Sequence, residues 1–173
     1  MSQPRRSPPE EHKATAPTSV GCFVLTVSDT RTAETDTGGA VIRDLLGGGG
    51  HTVVGSAIVR DEPVEVARVV RQACADARVQ VVILTGGTGI TSRDSTFEAV
   101  EAPLDKRLPG FGELFRVLSY EDVGAAAMLS RAQMGIHARR IVVSLPGSPN
   151  ACRLALEKLL LPELGHLVRE VSR

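Results

Sequence analysis

Val81-Val82-Ile83-Leu84 is an uninterrupted apolar run that passes through Thr85 straight into Gly86-Gly87-Thr88-Gly89. A strand that is apolar on both faces must be covered on both faces, which is the pattern of a parallel sheet between helices. Glycine lets the backbone take positive φ and approach an anion with no Cβ in the way. Consecutive amides in such a turn form an anion-binding nest. Ile90-Thr91-Ser92-Arg93-Asp94 then add hydroxyls, a cation and a carboxylate. A buried strand feeding this turn predicts a phosphate site at the strand's carboxyl end.

Three further stretches repeat the plan. Residues 20–27 are nearly continuous apolar and end in Ser28-Asp29-Thr30-Arg31; Val41, Ile42, Leu45 and Leu46 then mark one face of a helix stopped by Gly47 to Gly50. Residues 51–59 read as a second strand, and Pro63 suits the first position of a helix carrying Val66, Val69, Val70 and Ala73. With residues 79–84 as the third strand, the order β-α-β-α-β predicts an α/β fold with right-handed crossovers. Beyond Asp94 the pattern predicts a helix over 95–104 and an irregular turn over 105–112. A short helix over 113–118 and a small-residue helix over 122–134 follow. Residues 141–145 are a further buried strand ending in Pro146-Gly147-Ser148-Pro149, and a long last helix is kinked or divided by Pro162.

The chain has 173 residues, the size of one domain. Residues 1–18, rich in proline and charge, are expected to be a disordered tail, and residues 19–173 a single domain. Twenty basic residues balance twenty acidic ones, so there is no net basic footprint for nucleic acid. No apolar run reaches the ~20 residues of a membrane helix, and the start has no apolar signal core. Cys22, Cys74 and Cys152 are odd in number and sit among apolar neighbours, which suits buried reduced thiols and a cytoplasmic location. No His/Cys spacing suggests a zinc site.

In open α/β sheets, ligands sit outside the carboxyl ends of the strands. The turns at Ser28-Asp29, Arg60-Asp61, Gly86 to Gly89 and Pro146 to Pro149 would then share one edge, with Arg93, Asp29, Asp61 and Asp94 among them. Each has a plainer reading. The glycines suit a tight turn, Asp61 and Asp94 suit helix caps, Asp29 suits an Asx-turn, and Ser148 suits a helix start. Arg131 and Lys106 read as surface residues, and Pro109-Gly110-Phe111-Gly112 as a packing turn. Neither a P-loop nor a nucleophile elbow is present. Backbone nests and paired carboxylates that can hold Mg²⁺ suit phosphate or nucleotide chemistry, driven by positioning and charge neutralisation.

Thr85-Gly86-Gly87-Thr88-Gly89, followed by Arg93-Asp94 and Thr96-Phe97-Glu98-Ala99, resembles the signature of the MogA/MoaB family of molybdopterin-binding proteins. Ser28-Asp29, Asp36-Thr37-Gly38, Pro109 to Glu113, Leu129-Ser130-Arg131 and Pro146-Gly147-Ser148 agree, so the resemblance spans roughly 19–165. It implies a three-layer α/β/α fold with a mostly parallel sheet and, commonly, a homotrimer. It implies Mg²⁺- and ATP-dependent adenylylation of molybdopterin, with product passed to a molybdenum-insertion protein. By position Asp61 and Asp94 match the catalytic, Mg²⁺-binding carboxylates, and Ser28-Asp29 a substrate site. Thr85 with Gly86, Gly87, Thr88 and Gly89 matches the phosphate turn, and Pro146, Gly147 and Ser148 match a second binding loop. Phe97 departs from the proline that many members carry. A non-catalytic carrier or scaffold is the alternative reading. A nucleotide-processing enzyme of the competence-damage type shares the fold but usually carries a further C-terminal domain.

Overall fold

Alternate residues of the central strands enter two separate cores, which is why their sequences are apolar without interruption. The computed structural model describes residues 16–173. In β3 (Val81–Thr85), Val81 and Ile83 face one core, and Val82 and Leu84 face the other. The first core takes β1 (Gly21–Val27) through Cys22 and Val24, α1 (Thr37–Gly48) through Ile42 and Leu46, and α4 (Pro109–Val123) through Phe111 and Phe115. The second takes α2 (Pro63–Ala75) through Val66, Val69 and Val70, and α3 (Thr96–Glu101) through Ala99 and Val100. Helices thus cover both faces, giving three layers, α/β/α. Both clusters are close to fully buried, at about 25 cal/mol per Å² of apolar surface removed from water.

The sheet has the order β2-β1-β3-β6-β5-β4, with β2 (Thr52–Val59), β4 (Lys106–Arg107), β5 (Gln133–His137) and β6 (Arg140–Leu145). β2, β1, β3 and β6 run parallel, and β5 and β4 add an antiparallel edge. The sheet is therefore mostly parallel, as the sequence predicts. The chain moves from β1 to β2 on one side and then to β3 on the other. The crevice between the carboxyl ends of β1 and β3 is thus a topological switch point, where such sheets bind ligands.

The middle of the chain departs from the sequence reading. Residues 105–112 are not an irregular turn: they form β4 and the start of α4, which runs from Pro109 to Val123 and absorbs the short helix expected at 113–118. The small-residue helix expected over 122–134 is absent. Gly124 takes φ 62° and ends α4, the alanines lie in a 3₁₀ segment, Gly124–Leu129, and the chain becomes β5 at Gln133. The β5–β6 hairpin turns on Ala138 (φ 48°) and Arg139 (φ 60°), two residues that carry no turn signature. Asp105 helps hold that turn by accepting the Ala138 amide at 2.7 Å.

The last helix is divided where Pro162 predicts. α5 (Pro149–Ala155) leads into a π-helical turn, Leu156–Leu160, and α6 (Leu161–Ser172) carries Pro162 in its first turn. The wider turn accommodates a residue that has no amide to donate. Most of the tail expected at 1–18 lies outside the described residues. Its end, Ala16 and Pro17, is half-buried against Gly165 of α6. Among the described residues, no helix is long and apolar enough to cross a membrane. All three cysteines are free and buried.

Candidate active site

A cleft of about 710 Å³ opens at the switch point. Its walls come from the end of β1 (Thr26, Val27, Ser28), from Thr85 to Gly89 after β3, and from Pro146 to Pro149 after β6. Asp36, Gly38, Arg31, Asp94, Leu129 and Ser130 complete it.

The glycine turn is the part whose shape the sequence dictates most strictly. Gly86 has φ 101° and Gly87 φ 64°, conformations that L side chains rarely adopt. A Cβ on Gly86 would run into the Val27 carbonyl, and one on Gly87 would stand 2.5 Å from Asp61 Oδ2. The Gly86 amide donates to Leu145 O at 3.0 Å, and Gly87 O accepts the Thr96 amide at 3.0 Å. Those two bonds anchor the turn to β6 and to α3. The amides of Gly87 and Thr88 have no intramolecular acceptor among the described residues, and both residues line the cleft. Unpaired amides beside a cavity are donors awaiting an acceptor.

Thr85 and Pro146 close the back of the cleft. The Thr85 hydroxyl donates to Pro146 O at 3.0 Å, and the Cys152 thiol lies 3.2 Å from the same hydroxyl. Burial pushes the Cys152 thiol up to about 11, so it is a neutral packing group and not a nucleophile. Ser148 caps α5, its Oγ accepting the Ala151 amide at 3.2 Å; the helix-start reading is correct, and the residue lines the cleft as well. Ser28 Oγ accepts the amides of Thr30 and Arg31 and shapes the loop after β1.

The three carboxylates do not converge on one point. Asp94 lines the cleft and caps nothing: the N-cap position of α3 is Ser95, and the Asp94 carboxylate instead accepts the Thr91 amide at 2.8 Å and its hydroxyl at 2.5 Å. The Thr91 hydroxyl, then the Thr91 and Gly89 amides, hold its carboxyl below the usual range. Asp61 is not a cap either. It is almost fully buried behind Gly87, outside the cleft lining, and its Oδ1 accepts the Ser95 hydroxyl at 2.7 Å. Asp29 lies at the rim, where Arg93 pairs with it at 2.8 Å and lowers its carboxyl, and where its Oδ1 accepts the Asp61 amide at 3.2 Å. Arg93 also reaches Glu62 at 3.3 Å, so three loops are stitched together at the rim. Exposed pairs of this kind add little stability but fix relative position.

Residues that the sequence reading named without giving them a role in the site are also here. Asp36, buried at the foot of the cleft, caps α1 through the Gly39 amide at 3.0 Å, accepts the Thr26 hydroxyl at 3.0 Å, and pairs with Arg43 at 3.1 Å. Arg31 lines the mouth with its guanidinium on Thr35 O at 2.8 Å; a cation two residues past Asp29 was the available signal. Arg131 is not the surface residue the sequence suggests. Only 26% of its side chain is exposed, and it bonds Thr88 O at 3.3 Å, Asp94 O at 3.0 Å and the Glu98 carboxylate. Lys106 is exposed on β4, as expected. Phe111 and Gly112 pack in the core, but as the first turn of α4.

As a Mg²⁺ site the cleft lining offers two carboxylates, Asp94 and Asp36. Asp36 is already taken up by Thr26, Gly39 and Arg43, which leaves Asp94, with Asp61 behind the turn. No cluster of three or more His, Cys, Asp or Glu side chains suited to a metal occurs among the described residues. Mg²⁺ is ordinarily held by one or two carboxylates together with substrate phosphates, and a carboxylate beside unpaired backbone amides is compatible with that donor set.

Residues 23–166 match a family described as "Probable molybdopterin binding domain". The chain is 51% identical over 164 residues to molybdenum cofactor biosynthesis protein B of Bacillus cereus, covering 94% of this chain and 97% of that one. A crystal structure of a molybdenum cofactor biosynthesis protein B superimposes with a TM-score of 0.89 at 51% identity, covering 92% of this chain and 99% of the other. The tungsten cofactor synthesizing protein MoaB from Pyrococcus furiosus superimposes with a TM-score of 0.80 at 40% identity, covering 91% and 100%.

Proposed function

The chain belongs to the probable molybdopterin binding domain family, and from that premise we propose that it is a molybdopterin adenylyltransferase. Its role lies in molybdenum cofactor biosynthesis, the process in which relatives of about half identity are named. The observation that carries the reading is that Gly87 and Thr88, whose amides have no acceptor among the described residues, line the same cleft as Asp94.

In this reading the terminal phosphate of molybdopterin attacks the α-phosphorus of ATP. A new P–O bond forms, the bond from the α-phosphorus to the bridging oxygen breaks, and pyrophosphate leaves. The attacking phosphate is anionic at neutral pH, so no protein nucleophile is required. The Gly87 and Thr88 amides hold phosphoryl oxygens, Arg31 faces the mouth as a counter-charge, and Ser148 with its loop walls the opposite side. Asp94 would hold Mg²⁺, with Asp61 as a second carboxylate behind the turn, and the ion would supply charge neutralisation on the triphosphate. Catalysis rests on alignment and on charge stabilisation in a fixed polar site.

A carrier that binds molybdopterin without transferring it is the second reading. It is favoured by one observation: Asp61 is committed to Ser95 and buried. Incubation with molybdopterin and Mg-ATP separates the two. Transferase function predicts stoichiometric adenylyl-molybdopterin and pyrophosphate, whereas a carrier predicts pterin binding with neither product.

A homotrimer is part of the same proposal. The apolar stripe of α6 is spent in the core, where Leu164 and Val168 are buried. The surface that offers itself is Leu114, Val117 and Tyr120 on α4, with Met128 beyond, all more than half exposed. Hand-over of the product to a molybdenum-insertion protein completes the proposal.

A further inference from the structure

We propose that Arg131 is the positioning residue of the glycine turn and of Asp94, with Phe97 as the platform that holds its guanidinium in place. The kinetic consequence rests on the transferase reading above; the structural consequence does not.

The contacts form a closed ring. Arg131 reaches the glycine turn from the segment between the 3₁₀ stretch and β5, far away in sequence. Its Nε donates to Thr88 O at 3.3 Å, and its Nη2 donates to Asp94 O at 3.0 Å. The Thr88–Gly89 peptide is trans, like every peptide bond among the described residues, so its carbonyl and its N–H point in opposite directions. With the carbonyl on Arg131, the Gly89 amide turns toward Asp94, whose Oδ2 would lie 2.7 Å from a Cβ built on Gly89. Guanidinium, peptide, carboxylate and Asp94 carbonyl therefore fix one another.

The charge is not offered to a substrate. Nη1 is neutralised by the Glu98 carboxylate, and the guanidinium carbon sits 5.1 Å from the Phe97 ring centroid. An aromatic face covers one side of the plane and leaves the in-plane donors for the protein acceptors. Gln133 Nε2 donates to Phe97 O at 2.8 Å, so the first residues of β5 hold the platform as well. A lysine reaches one of these acceptors at a time, because its ammonium is a point charge without the rigid fork. Phe97, the departure from the family pattern, thus has a structural use in this chain.

The test uses the full chain carrying Arg131→Lys, Arg131→Ala or Phe97→Leu, read by amide hydrogen exchange and by adenylyl transfer. In both Arg131 variants, exchange at the Gly89 and Asp94 amides rises about tenfold or more while the β1 and β3 amides stay at wild-type protection. Transfer loses about tenfold or more in kcat with KM for molybdopterin held within about twofold. Millimolar guanidinium restores much of the rate to Arg131→Ala and none to Asp94→Asn. Phe97→Leu falls between. Unchanged exchange at Gly89 and Asp94, or a loss that tracks the melting temperature and ignores guanidinium, overturns the proposal. If the wild type transfers nothing, the transferase reading falls, and the exchange result alone decides the role of Arg131.

Discussion

The Thr85 hydroxyl donates to the Pro146 carbonyl across 3.0 Å, tying the last residue of β3 to the first residue beyond β6. The glycine turn and the Ser148 loop spring from these two ends, so this bond joins the β3–β6 ladder and the Gly86 amide on Leu145 O in holding the two walls together. In Thr85→Val the carbonyl keeps only the weaker Cys152 thiol contact at 3.5 Å. A buried acceptor that loses its partner costs about 1–3 kcal/mol. Urea unfolding is expected to show that loss, with phosphate or ATP affinity reduced alongside, while Thr85→Ser stays close to wild type. A Thr85→Val protein as stable as wild type would show that the bond does not hold the walls together.

Gly87→Ala is expected to be damaging in two ways. Its φ of 64° strains an alanine, and the new methyl meets Thr96 and Asp61. The stability cost is about 1–3 kcal/mol, and displacement of the Gly87 and Thr88 amides removes phosphate binding. Gly47→Ala is the matched control, because nothing lies within 4 Å of a Cβ there and the residue is inside α1. That variant is expected to gain about 0.5–1 kcal/mol. Calorimetric titration with inorganic phosphate, next to melting curves for both variants, distinguishes a binding defect from an unfolding one.

His51 sets an acid-side limit on stability. Its Nδ1 accepts the Val20 amide at 3.2 Å, and burial lowers its pKa from the ordinary 6.5. The unfolded chain therefore binds the proton more readily than the folded one. The stability is present in full above 6.5 and falls as pH drops from 6.5 through the depressed folded value. Melting temperature is expected to decline across that window, and His51→Asn, which keeps an acceptor without the titration, is expected to flatten the decline. An equal decline in the variant would assign the effect to the carboxylates instead.

Val117, 64% exposed on α4, lies between Leu114 and Tyr120 on the apolar face available to a second copy. If that face forms the homotrimer, Val117→Asp shifts sedimentation toward monomer at micromolar concentration without changing the far-UV spectrum. A wild-type protein that sediments as a monomer would refute the trimer itself.

Strand ends were legible because chemistry and fold coincide there. Buried strands need long apolar runs, and the residues that stop those runs, Ser28, Thr85 to Gly89 and Pro146 to Ser148, are the residues that line the cleft. The middle of the chain was harder, for identifiable reasons. Gln133–His137 is short and polar at both ends, and its turn uses Ala138 and Arg139 at positive φ where Asn or Gly would have announced a hairpin. Ala125 to Ala127 favour a helix by propensity, but Gly124 breaks the chain and tertiary packing leaves them in a 3₁₀ turn. Asp36 and Arg131 act through partners distant in sequence, such as Thr26, Thr88 and Asp94, and no local pattern reveals such pairings. Asp61 shows the converse: its position after β2 was read correctly, yet only the three-dimensional arrangement puts it behind Gly87.

A single-turnover experiment with ATP labelled at the α-phosphate, excess molybdopterin and Mg²⁺, run on the wild type, Asp94→Asn and Asp61→Asn, tests the central claim most directly. The account predicts that label moves from ATP to molybdopterin in the wild type. It predicts a loss of about a hundredfold or more in Asp94→Asn, with pterin affinity largely retained. Label that stays on ATP in the wild type despite tight pterin binding, or transfer that survives Asp94→Asn at full rate, would contradict it.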